Sequence, residues 1–113
     1  MGLQLRKINE EIIDKWLAAI GLFSKDLKGF LGELLDGVYA TEDPELGVED
    51  YNVIVVVKEP LDEEMLDAIY VLSAKACEKI EGEFAIMPKV VVKGSPEADE
   101  YVRLLERVGT KIF

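Results

Sequence analysis

Apolar residues recur at steps of three and four near the start of the chain. Ile8, Ile12, Ile13, Trp16, Leu17 and Ile20 fall on one helical face. The spacing predicts an amphipathic helix within residues 1–22, closed at Gly21, with Trp16 as a core or interface anchor. Ser24 then reads as the N-cap of a second helix, carrying Leu27, Phe30, Leu31, Leu34 and Leu35 on its apolar face. Gly29 and Gly32 weaken that helix by on the order of 1 kcal/mol each, and Asp36-Gly37 is placed to end it. The period then changes. Val38 to Thr41 predicts a short strand, Glu42 to Asp50 a loop containing Pro44 and Gly47, and Tyr51 to Lys58 a second strand. Val53 to Val57 is apolar at every position, the pattern of a central strand covered on both faces.

Helical spacing returns after Pro60. Asp62, Glu63 and Glu64 suit a first helical turn, and Met65, Leu66, Ile69, Leu72, Ala76 and Ile80 mark the face to be buried. Phe84 to Val92 predicts a third strand, in which Pro88 requires an edge, a bulge or a break. Ser95-Pro96 opens a last helix with an N-cap and a proline at its first position. This helix is expected to bury Tyr101, Leu104, Leu105 and Val108. Gly109 stops it, and Thr110 to Phe113 can add a fourth short strand. The order α-α-β-β-α-β-α-β predicts one domain spanning 1–113. Its class is α/β (α+β), two-layer, with a small mixed β-sheet and helices mainly on one face.

Composition narrows the functions open to such a domain. The 113 residues include 23 acidic and 13 basic, a formal net charge of −10. Nucleic-acid affinity rests largely on Lys and Arg at phosphates, so nucleic acid is not an expected partner. Neither is an anionic membrane surface, and no apolar run is long enough to span a bilayer. The absence of histidine removes Ser-His-Asp and Cys-His catalysis and every histidine metal site. A metal would have to be a hard cation held by oxygen, such as Mg²⁺. Cys77 is the single cysteine and lies on an apolar helix face, where it reads as an inert thiol. No secretory signal is evident, and a cytoplasmic protein is the expectation. Uncharged polar residues are few while Glu and Lys abound, a bias shared with the proteins of hyperthermophiles.

The candidate chemistry lies between the first two strands. Five carboxylates, Glu42, Asp43, Glu45, Glu49 and Asp50, fall in nine residues. Asp50 and Asn52 have the period-two spacing that puts both side chains on one side of a strand, and two carboxylates so placed can share a divalent cation. Here the second is an amide, which offers an oxygen but no charge. The same residues also read as a solvated loop and an ordinary polar start to a strand.

From Leu27 to Phe113 the order and spacing resemble the minimal nucleotidyltransferase domains of the DNA polymerase β superfamily, of archaeal type. In that family the first strand leads into Gly-Ser and the next opens with Asp-x-Asp and continues as an apolar run. Val38-Tyr39-Ala40-Thr41 stands in the first place and Glu49-Asp50-Tyr51-Asn52, then Val53 to Val57, in the second. The Met87-Pro88-Lys89-Val90-Val91 strand and the closing Arg107 to Phe113 segment also fit.

The resemblance implies a nucleotidyltransferase-like fold. It places catalytic residues at Asp50 and Asn52, nucleotide contacts at Ala40 and Thr41, and Mg²⁺ at Asp50, Asn52 and Glu83. The departures are specific. Ala40-Thr41 replaces Gly-Ser, the loop is acidic where the family's is usually basic, Asn52 replaces an aspartate, and Glu83 is the remaining candidate for the third carboxylate. A degenerate active site follows. The expected function is a binding or interaction module, such as an antitoxin-like or regulatory subunit. Its partner would be a helical or basic-faced protein, as the HEPN-type helical proteins are beside the family's minimal members, or a second copy of the chain. An active Mg²⁺-dependent nucleotidyltransferase and an unrelated small α/β interaction domain are the alternatives.

Overall fold

The computed structural model describes the backbone of residues 2–45, 49–107 and 109–111, and side chains within 10–45 and 49–107. Helix α1 spans Gly2–Leu31 and a short 3-10 turn spans Gly32–Leu34. Then come β1 (Leu35–Thr41), β2 (Val53–Val57), α2 (Glu63–Ile80), β3 (Pro88–Val92), α3 (Pro96–Glu106) and β4 (Gly109–Lys111). The expected mixed α+β architecture is present, but β1 starts at Leu35, a position expected on the second helix, β3 starts at Pro88 where a strand from Phe84 is expected, and the start of the chain differs most. The two N-terminal helices are a single helix that runs through Gly21 and Ser24.

Competing magnitudes account for that continuity. A mid-helix glycine costs about 1 kcal/mol, whereas full burial of a large apolar side chain contributes about 2 kcal/mol. Trp16, Ile20, Phe23 and Leu27 are all fully buried at helical steps of four, three and four, and a break at Gly21 would split that stripe. The helix stops instead at Gly32, whose φ of +56° is the left-handed conformation that ends helices and favours glycine.

The strands form one sheet in the order β3-β2-β1-β4. β1 is antiparallel to β2, pairing Ala40 with Val53 and Val38 with Val55, with an irregularity between Leu35 and Gly37. β2 is parallel to β3, in register from Val53 with Pro88 to Val57 with Val92, and β4 pairs antiparallel with β1. Pro88 is the first residue of an edge strand, a position that tolerates its missing N–H.

Every residue of β2 is buried, and alternation sends its side chains to two cores. Val53, Val55 and Val57 join Val38 and Ala40 against α1 and α2. Ile54 and Val56 join Val91 against Ala98 and Leu105 of α3. Two helices therefore cover one face, and the shorter α3 covers the other. Asp62 and Ser95 cap α2 and α3, accepting from the Met65 and Ala98 amides. Of the residues expected to be buried on α3, Leu105 is buried, Leu104 is exposed and Val108 lies outside the described residues.

Candidate functional site

β1 ends and β2 begins at the same end of the sheet, which brings Thr41 beside Asn52. The Thr41 amide donates to the Asn52 carbonyl at 3.0 Å. Thr41 Oγ1 donates to the Asp43 carbonyl at 2.8 Å and lies 3.4 Å from the Asn52 carbonyl. The Thr41 carbonyl accepts from Trp16 Nε1 at 2.7 Å, a buried bond that ties the strand end to α1. Trp16 is itself held edge-on against Phe84, with ring centroids 5.3 Å apart. Ala40 faces the core shared with α1 and α2. Thr41 is buried as well.

Asn52 is 6% exposed, and its amide joins three segments. Nδ2 donates to the Ala85 carbonyl at 2.9 Å and to the Pro44 carbonyl at 3.2 Å. Oδ1 accepts from the Met87 amide at 2.7 Å, while the Asn52 backbone amide donates to the Met87 carbonyl. Both N–H donors and one acceptor site are thus in use. The side chain is a cross-brace between the acidic loop, the start of β2 and the segment leading into β3. A buried polar group needs such partners, because leaving it unpaired costs a few kcal/mol.

Asp50 is exposed and lies outside this brace. With Pro44, Glu45, Glu49, Tyr51, Asn52 and Met87 it lines a cleft of about 200 Å³. Glu83 lines a different cavity, with Glu11, Ile12, Lys15 and Phe84. Asp50 and Asn52 therefore share one cleft and Glu83 another. Among the described residues no group of three or more Asp, Glu, His or Cys is arranged to hold a metal ion, and no helix is long and apolar enough to cross a membrane.

The spacing pattern missed a cluster on the α3 side of the cleft. Tyr51 and Tyr101 pack edge to face, with centroids 6.1 Å apart, and Lys89 Nζ lies 5.6 and 5.9 Å from the two rings. Lys89 also pairs with Glu97 at 3.4 Å. The Tyr101 hydroxyl donates to Glu49 Oε2 at 2.5 Å across 52 positions of sequence. That hydrogen bond, then desolvation and the Glu49 charge, push the Tyr101 phenol up to about 12. The same Tyr101 counted as a core position on helical spacing, and nothing local tied it to the loop.

Comparison with known proteins finds no matching family model, curated protein or solved structure.

Proposed function

We propose that this chain is a nucleotidyltransferase-type domain whose catalytic positions have passed to structural duty, and that it works as a binding or interaction module in the cytoplasm. The observation that carries the reading is the Asn52 amide. At the position where the resemblance expects a metal-binding aspartate, the side chain is buried and bonded to the backbone at Pro44, Ala85 and Met87. The dispersal of the other candidates supports it, since Glu83 and Asp50 line separate cavities. So does the acidity of the loop, which would repel a triphosphate. The adjacency of β1 and β2, with the Thr41 amide bonded to the Asn52 carbonyl, supports it too, since the resemblance expects these strands to be neighbours. An antitoxin-like or regulatory subunit paired with a basic-faced protein fits a chain of net charge −10.

The test is nucleotidyl transfer. Purified protein with Mg²⁺ and radiolabelled ATP, supplied with native lysate as the source of acceptors, is expected to add no label beyond that of the lysate alone. Label that depends on Mg²⁺ and disappears in Asp50→Ala would make this an enzyme and end the proposal.

A further inference from the structure

Helix α1 is longer than the elements it packs on. Its 30 residues measure about 45 Å at 1.5 Å each, against about 27 Å for the 18 residues of α2. The whole molecule is 48 Å in its longest dimension. Side chains on α1 are described from Glu10 on, and Trp16 is the first of them to be buried. Glu10, Glu11, Asp14 and Lys15 are exposed, and Ile12 and Ile13 are half-buried. The rest of the chain reaches this stretch at Glu83 and Phe84, which line a cavity of about 180 Å³ with Glu11, Ile12 and Lys15. The apolar stripe does not stop at Trp16. By helical register, Leu5, Ile8 and Ile12 continue the face of Trp16, Ile20, Phe23 and Leu27 toward the start of the helix. A helical stretch of this length is marginal in water unless its apolar face is packed.

We propose that residues 2–13 of α1 pair antiparallel with the same residues of a second copy of the chain. Charge complementarity selects the occupant. A chain of net charge −10 repels its own copy, so self-pairing needs a local pattern that offsets this. The stretch has one: Arg6 and Lys7 form a basic block, and Glu10, Glu11 and Asp14 an acidic block after it. Antiparallel packing sets each basic block against the other copy's acidic block. A twofold axis at Ile8 places that residue against its counterpart, Leu5 beside Ile12, and Arg6 beside Glu10, the last two twice by symmetry. Parallel packing would set like charges together. A foreign helix of one charge sign would match one block and oppose the other. The inference is independent of the reading of Asn52, since it involves neither the loop nor the cleft.

Arg6 and Glu10 are also four positions apart on one helix, so a pair within each helix is the rival account, although arginine ahead of glutamate is the weaker order for it. The experiment is analytical ultracentrifugation of the full chain over a wide range of concentration. The wild type is expected to show a reversible monomer–dimer equilibrium. Ile8→Glu should abolish the dimer while the fluorescence of Trp16, buried in the core, stays as in the wild type. Arg6→Glu and Glu10→Arg should each weaken dimerisation by about tenfold. An equal mixture of these two variants should recover the wild-type association, because each supplies across the interface the charge that the other lacks. A pair within one helix stays broken in both, so that account predicts no recovery. The mixture decides even if Ile8→Glu disturbs the Trp16 signal. A wild type that stays monomeric at the highest concentration, a dimer indifferent to Ile8→Glu, or a mixture no tighter than its components would overturn the proposal.

Discussion

At Asn52 both amide protons go to carbonyls from different parts of the chain, and the oxygen receives the Met87 amide. A carboxylate of the same shape can keep the Met87 bond, but it donates nothing to Pro44 or Ala85 and faces their oxygens with a negative charge. Asn52→Asp is therefore expected to lower stability by about 3 kcal/mol, read from the urea midpoint at unchanged slope. The spacing from Asp50 marked the position as polar and metal-like. Pro44 lies in the adjoining loop, but Ala85 and Met87 are more than thirty positions away, so no local pattern could reveal a brace. Tyr101 offers a second prediction at this scale. Its phenol is raised to about 12 by the bond to Glu49, above an unfolded value near 10. The clasp's contribution is thus complete below about pH 10 and is lost as pH rises through about 12. Tyrosinate absorbance should show a component with a midpoint near 12 in the wild type that is missing from Tyr101→Phe. Identical titrations apart from amplitude would remove the clasp.

Elements were most legible where a long-range pattern and local signals agreed. β2 was evident because five consecutive apolar residues need cover on both faces, and α1, α2 and α3 provide it. Pro88 carried its own meaning and opens an edge strand. α1 was misjudged where local and long-range signals conflicted. Gly21 and Ser24 look like a stop and a cap, yet the apolar stripe from Trp16 to Leu31 runs on beneath them. Gly21 tests this directly. A Cβ there would meet nothing within 4 Å, so Gly21→Ala should raise stability by about 1 kcal/mol in a denaturant melt. A loss of stability would mean that the helix breaks at that point.

For the whole molecule, the class and the order of elements from the first strand on were readable, because alternating periods and caps specify them. The site was readable only as a place. Asp50, Asn52, Ala40 and Thr41 do gather at one end of the sheet, but Ala40 and Thr41 are buried and Glu83 belongs to another cavity. What separates a metal site from a brace is the side-chain hydrogen bonding, which depends on the loop and the segment before β3 folding back together. The central claim of the proposal is that this brace stands where the resemblance expects a metal ligand, so that the domain is indifferent to Mg²⁺–ATP. Thermal melting of the wild type and Asn52→Asp, each with and without Mg²⁺–ATP, tests it most directly. The account predicts no shift for the wild type and a lowered midpoint for Asn52→Asp that Mg²⁺–ATP does not restore. A wild-type midpoint raised by Mg²⁺–ATP, or an Asn52→Asp protein rescued by it, would contradict the account.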